Sequence, residues 1–350
     1  MWAQANIQDV EMPSRTAVDE GAFRELVETQ RAELHGHCYR MLGSLHDADD
    51  ALQDTLVRAW RALPKFRGQS SHRTWLYRIA TNVCLDAIAR RPKRVLPIDY
   101  GPALRAGDPA PDQPVPDAHW IEPYPDETFG VADGAAAPDA RYERREALEL
   151  AFVAALQHLP PRQRAVLILR DVLGFSAKEA SASLDTTVAS VNGALQRARK
   201  AVAERVPERS QQTTLVKLGD RRVRELVERF ADAFERGDVD AVLALLTDDS
   251  TFGMPPYPGV CRGREAVATS WLMPSGPPPR LRYVATSANG QPALGAYALD
   301  AAGRAYLPIA LDVLTLRDEK IVDVTAFRTP SVFARFGLPG AVPADLRRGD

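Results

Sequence analysis

The stretch Thr74–Arg91, T-W-L-Y-R-I-A-T-N-V-C-L-D-A-I-A-R-R, decides how this chain is read. Trp75, Ile79, Val83 and Ile88 recur at helical spacing and predict an apolar face that packs in a core. Tyr77, Arg78, Asn82 and Arg90 lie off that face. They form a basic, aromatic and amide set suited to nucleic acid, with Tyr77 the candidate for stacking on a base. A second basic helix ends in Arg197, Arg199 and Lys200. A Pro-rich acidic segment joins the two, so the pattern predicts a protein that grips DNA at two separated places.

The charge is sorted along the chain. Residues 56–95 hold ten Lys or Arg and one acid, Asp86. Residues 96–140 hold nine acids, nine prolines and one base, Arg105. Proline at this density blocks helix and sheet and predicts a flexible linker. Residues 141–206 return to eleven bases against seven acids. The formal net charge of −2 hides this segregation. Basic faces are electrostatic footprints for phosphate backbones. A solvated helix surface is the alternative, and two basic modules flanking an acidic tether weigh against it.

Composition bounds the rest. A length of 350 residues predicts two or three domains, and 45% hydrophobic with 26% charged residues is a globular balance. Cys38, Cys84 and Cys261 have no CxxC spacing, which argues against a disulfide framework or a zinc site and fits a reducing cytoplasm. Residues 1–15 lack the apolar core of a secretory signal. No apolar run reaches the roughly 18 residues of a membrane span, so no membrane partner is expected.

In the first module, residues 20–95, a helix through Phe23, Leu34 and Leu42 precedes a second from His46 to Leu63. Asp47, Asp49, Asp50, Gln53 and Asp54 crowd the start of that second helix. Acids there either complement the helix dipole or, being so many on one face, make a docking surface for a basic partner. In the second module, residues 141–206, Ser176 and Glu179 have the spacing of a capping box. Leu184-Asp185-Thr186 turns the chain into a helix from Thr187 to Arg205. Two short helices joined by a tight turn read as a helix-turn-helix or as a generic hairpin. Ser190, Asn192, Gln196 and Arg197 have the chemistry of base-edge readers. Gly193 either permits close approach to DNA or is merely tolerated.

These residues resemble an extracytoplasmic-function sigma factor of bacterial RNA polymerase. D-A-D-D-A-L-Q-D-T-L-V-R-A-W (47–60) resembles region 2.2, F-R-G-Q-S-S-H-R-T-W-L-Y-R-I-A-T-N-V-C-L-D (66–86) regions 2.3 and 2.4, and L-P-P-R-Q-R-A-V-L-I-L-R-D-V-L-G-F-S-A-K-E-A (159–180) region 4. The resemblance implies that Asp47, Asp49, Asp50, Gln53 and Asp54 bind the clamp coiled coil of core polymerase. Arg67, Arg73, Tyr77, Arg78, Asn82, Arg90 and Arg91 would open and read the minus-10 element. Lys178, Thr187, Ser190, Asn192, Gln196, Arg197, Arg199 and Lys200 would read the minus-35 element, with the polymerase flap as region 4's second partner. His72 and Val191-Asn192-Gly193 depart from the family's usual residues and bear on which promoter is read. The acidic linker either mimics RNA's charge near the exit path or serves solubility.

After a short linker (207–220), residues 221–328 form a third module. A helix through Val223 and Phe234 and another over Gly237–Asp249 with Asp238 as cap precede a helix near Arg264–Leu272. Four strand-like runs follow: Leu281–Ala288, Ala293–Leu299, Ala305–Leu316 and Lys320–Phe327. This order resembles the SnoaL-like branch of the cone-shaped α+β fold of nuclear transport factor 2. The fold expected is therefore multidomain, with two all-α sigma domains and one α+β cone. Asp248, Asp312 and Asp323 are the candidate acids of an enzyme, and Trp271, Tyr283, Tyr297 and Tyr306 could line a pocket or the core. No histidine follows His158, so histidine catalysis is excluded. No catalytic residues, cofactor or metal are expected. The tail, residues 329–350, carries Phe333, Phe336 and Leu338, which dock on the sigma modules or cover the tail's own domain. An intramolecular contact of the third module with the sigma modules, a small ligand or an anti-sigma protein are the further partners expected. The competing classes are a ligand-sensing helix-turn-helix regulator that binds DNA alone and a small-molecule isomerase or hydrolase with an appended DNA-binding part.

Overall fold

Short polar caps set the helix starts. In the computed structural model, residues 17–66, 70–108, 113–115, 120–129, 145–269 and 280–345 are described. Arg67, Trp271, the linker residues 130–140 and residues 141–144 lie outside them, as do the side chains of residues 17–20, 22, 26 and 129. Helix α1 (Ala17–Leu42) stops at Gly43, whose φ of 69° is the left-handed exit that suits glycine. Ser44 then accepts the Asp47 amide at 3.1 Å and starts α2 (Leu45–Ala62). Ser71 does the same for the Thr74 amide at the head of α3 (His72–Ile88). These three helices pack as one bundle.

The second module is α4 (Leu150–Gln157), α5 (Pro161–Leu167) running into a π-helical turn (Ile168–Val172), α6 (Ala177–Ser183) and α7 (Val188–Ala203). The expected capping box is present, Ser176 and Glu179 each satisfying the other's backbone amide. Asp185 at φ 50° makes the turn between α6 and α7.

The residues expected to be a second linker carry α8 (Gln211–Leu218), which Ser210 caps. Gln211 binds both the amide and the carbonyl of Leu316, so α8 is fastened to the end of strand 305–317. The third module continues with α9 (Asp220–Glu235), α10 (Val239–Leu245) and the short α11 (Arg264–Val267). Its sheet runs β2 (Val260–Arg262), β1 (Leu246–Gly253), β6 (Lys320–Phe327), β5 (Ala305–Arg317), β4 (Gln291–Leu299), β3 (Leu281–Ala288), with β7 (Val342–Pro343) on the far end of β5. Only β1 and β6 pair in parallel; the rest are antiparallel. The second helix ends at Leu245 rather than Asp249, because Leu246–Gly253 pairs with β6.

The sheet is covered on both sides. Ala310, Leu314 and Leu316 of β5 meet Leu226, Phe230 and Val242 beneath α9 and α10. Leu311 and Val313, on the opposite face, join a core that also contains Leu34, Leu76, Leu148 and Phe175 of the sigma modules. The modules therefore share one hydrophobic core rather than hanging from tethers. The end of the acidic linker is packed: Trp120, Ile121 and Tyr124 are buried, and Tyr39 and Tyr124 lie ring to ring at 4.4 Å, whereas Ile98 and Tyr100 are exposed. The expectation of a flexible segment fails there because three bulky side chains outweigh the prolines. The tail does both things expected of it. Phe333 packs edge-on to Tyr297 of its own sheet, while Arg335 reaches Asp49 of α2.

Candidate nucleic-acid interface

Helix α3 buries Leu76, Tyr77, Ala80, Val83 and Cys84. Tyr77 is therefore a core residue, contrary to its expected stacking role. Its ring packs against Phe175 and His37, and its hydroxyl faces Glu33 at 3.4 Å. Burial pushes that hydroxyl's pKa well above the usual range, so it stays protonated. Trp75, expected in the core, is only half-buried. It lies beside Phe66, with ring centroids 5.0 Å apart, and Phe66 in turn meets His72 at 4.8 Å. The reversal has a simple cause. A tyrosine ring is apolar, and with one partner for its hydroxyl it fills a core site that the sequence offers equally to tryptophan.

Phe66, Trp75, Lys65 and Arg78 border a cavity of about 350 Å³, closed on its other side by Ala182 and Ser183. Arg78 and Asn82 are exposed one turn apart, and Arg90 is exposed at the helix end. Arg91 is exposed but is held by Asp47. Arg73 is engaged by the second module: its guanidinium lies 4.6 Å from the Phe175 ring and donates to the Leu173 carbonyl at 3.0 Å. The Thr74 hydroxyl donates to Glu179 at 3.2 Å. Part of the face that sequence assigned to DNA is thus covered by α6 and the turn before it.

The acids of α2 divide. Asp50, Gln53 and Asp54 are exposed along one edge. Asp49 is half-buried between His35 at 3.1 Å and Arg335 at 2.6 Å. Burial opposes its ionisation, but the hydrogen bonds from His35 and Arg335 prevail and hold the carboxyl at about 2. Asp47 does not join this edge. It is buried and binds Arg94 at 2.6 Å as well as Arg91, so it fastens the end of the first module. Its place in the first turn, beside cap Ser44, aims the side chain inward.

Helix α7 buries Val191, Leu195, Ala198 and Val202, which turns the remainder outward. Ser190, Asn192, Gln196, Arg197, Arg199 and Lys200 are all exposed, as are Lys178 on α6 and the cap Thr187. The Thr187 hydroxyl is occupied by the Ser190 amide at 3.1 Å. Arg199 holds Asp171 through two bonds of 2.7 and 2.8 Å. A side chain at Gly193 would meet only the Arg197 guanidinium, at 3.5 Å, so nothing in the packing requires glycine.

Aromatic rings pack between the sheet and the helices of the cone, Phe230 and Phe234 4.8 Å apart and Phe234 and Tyr283 5.8 Å apart, while Tyr297 and Tyr306 are buried in the core shared with the sigma modules. Burial pushes the Asp312 carboxyl up to about 7. Asp323 is also raised by burial and receives the hydroxyls of Thr251 and Thr325, while Asp248 is exposed and pairs with Arg264. Among the described residues no three metal-ligating side chains come together, and no helix is long and apolar enough to cross a membrane.

Residues 26–94 match the family model for Sigma-70 region 2, residues 145–202 that for Sigma-70 region 4, and residues 227–324 that for a SnoaL-like domain. The chain is 41% identical over 337 residues to the ECF RNA polymerase sigma factor SigG of Mycobacterium tuberculosis, an alignment covering 95% of this chain and 88% of the relative. It is 30% identical over 190 residues to the ECF RNA polymerase sigma factor SigW of Bacillus subtilis, covering 54% of this chain and 90% of that one. Among solved structures, the extracytoplasmic function sigma factor SigJ of Mycobacterium tuberculosis aligns with a TM-score of 0.55 at 23% identity, over 91% of this chain and 99% of the other. That likeness extends the shared fold to the third module. With both sigma regions in order and a relative of this similarity along nearly its whole length, the chain belongs to the extracytoplasmic-function sigma factors of bacterial RNA polymerase.

Proposed function

We propose that this sigma factor docks core polymerase through the outer edge of α2, reads the minus-10 element with α3 and the minus-35 element with α7, and is restrained by its own C-terminal module. Promoter-specific initiation with core polymerase comes with membership of the family. The residue roles are the present reading. Asp50, Gln53 and Asp54, with Asp49, meet the clamp coiled coil. Trp75, Phe66 and His72 offer the stacking surface in place of Tyr77, and Arg78, Asn82 and Arg90 face the unpaired strand. Capturing an unstacked base costs a few kcal/mol, and an aromatic platform returns about 1–3 kcal/mol per base. Asn192, Gln196 and Arg197 face the major groove, while Arg199 and Lys200 hold phosphates.

One observation carries this reading. The outward faces of α3 and α7 are largely polar and basic, whereas Val191, Leu195, Ala198 and Val202 of α7 are buried. A generic helical hairpin also buries an apolar stripe, but it has no need of the exposed bases Arg197, Arg199 and Lys200 gathered along one helix. The cone acts as a regulatory body rather than an enzyme, since one face of its sheet shares a core with the sigma modules. Asn82→Ala tests the reading. Open-complex formation on a cognate promoter, followed by permanganate footprinting, is expected to fall while affinity for core polymerase holds. Normal opening would remove Asn82 from the reading set.

A further inference from the structure

The tip of the β3–β4 hairpin is an Asn-Gly turn, with Asn289 at φ 56° and Gly290 at φ 68°. Both residues are left-handed, which is the two-residue turn that matches the twist of paired strands. Such tips normally stand in water. This one does not: Ala288 and Asn289 have no exposed surface and Gln291 has 3%. The tip is inserted among the sigma modules and the linker, and Asn289 is bonded to all three. Its side-chain amide donates to the Tyr39 hydroxyl of α1 at 2.9 Å and to the Leu148 carbonyl of the second module at 2.9 Å. Its side-chain oxygen accepts the Tyr124 amide of the acidic linker at 2.8 Å, and its own amide returns to the Tyr124 carbonyl at 2.8 Å.

Neighbouring groups repeat the pattern. The Gly290 amide donates to Asp126 of the linker at 2.7 Å, and Gln291 accepts the Leu150 amide at the head of α4 at 2.9 Å. Gln212 of α8 donates to the Gly290 carbonyl at 2.7 Å. One turn of the third module therefore holds region 2, the linker and region 4 in a single arrangement. In that arrangement α6 and its preceding turn cover Arg73 and Thr74 of α3, while α7 stays exposed.

We propose that the buried Asn289–Gly290 turn is an intramolecular latch: it holds the two DNA-binding modules closed on each other, and its withdrawal is the step that frees α3 for promoter opening. The inference rests on the reading of α3 as the minus-10 surface. Its sign is the useful part. A residue that only stabilises the fold loses activity when it is altered, whereas breaking a latch raises activity.

The test uses the full chain with purified core polymerase. Asn289→Gly keeps the left-handed backbone and removes the side-chain bonds; Tyr39→Phe removes one hydroxyl from the other side. Spin labels at the exposed Arg61 and Glu204 report the separation of the modules. Run-off transcription at subsaturating protein reports activity. Two to three neutral hydrogen bonds correspond to about a fivefold or larger shift toward the open state. The latch predicts a longer label separation and about fivefold more transcript for Asn289→Gly, with a smaller gain for Tyr39→Phe. Unchanged separation, or opening with equal or reduced transcript in either variant that retains its circular dichroism, overturns it. Asn82→Ala, run alongside, separates the two claims. If that variant opens promoters normally, the reading of α3 fails and the latch falls with it. If it loses opening while Asn289→Gly and Tyr39→Phe gain nothing, the latch alone is wrong.

Discussion

Arg335→Ala removes the contact between the C-terminal tail and the edge of α2 while leaving the tail's anchor in place. Val332, Phe333 and Phe336 stay buried, and burial of an aromatic side chain contributes about 1.5–3 kcal/mol. The lost contact is the ion pair to Asp49 at 2.6 Å, between side chains 28% and 38% exposed. Pairs this open to solvent are worth at most about 1 kcal/mol, because water screens them and two long side chains must be ordered. If Asp49 docks on the polymerase clamp, the pair must break first, so its removal is expected to tighten core binding by up to about fivefold. Fluorescence anisotropy of labelled full-length protein against core polymerase measures this, and the gain is expected to shrink as salt rises. Equal or weaker binding by Arg335→Ala, in a titration where Asp50→Arg does weaken binding, would refute the reasoning.

Three further outcomes follow from the geometry. Burial pushes the Glu149 carboxyl up to about 7 from its ordinary 4.5, with the Gln212 amide opposing and Glu146 adding a like charge. The neutral form is therefore favoured in the folded state; the stability it contributes is full below about 4.5 and is lost as pH rises through about 7. Thermal melts at intervals across that window are expected to show a decline that Glu149→Gln flattens, and parallel curves would contradict it. Gly193→Ala is expected to raise the unfolding free energy by about 1 kcal/mol, measured by urea titration, since its side chain meets only Arg197 at ordinary contact distance. Trp75→Ala is expected to slow promoter opening by about 1–3 kcal/mol of lost stacking in a stopped-flow assay, whereas Tyr77→Phe leaves it unchanged.

Local physics made much of the fold legible. The Ser176–Glu179 box, the Asp238 cap and four strands all appear where spacing put them. Each is written within a few residues of sequence. Strand β1 was illegible because Leu246–Gly253 carries Asp248, Asp249 and Ser250 in its centre and reads as the end of a helix. The apolar faces of α3 could be distinguished only by what packs on them, namely Phe175 from a hundred residues away in the chain. The docking acids show the same limit: composition gathers Asp47 with Asp50 and Asp54, but Arg94 turns Asp47 inward. Asn289–Gly290, an Asn-Gly pair between two strand-like runs, carries the local signal of a turn. That it would be buried among three other segments is a tertiary fact with no local signature.

In vitro transcription from a genomic fragment library, with purified core polymerase and either residues 1–350 or residues 1–209, tests the central claim most directly. The shorter chain ends before α8 and so lacks the whole C-terminal module. The account predicts discrete start sites that require both core polymerase and this protein, with a different yield from the two chains. Absence of start sites with both, together with sequence-specific DNA binding by the protein alone, would contradict it.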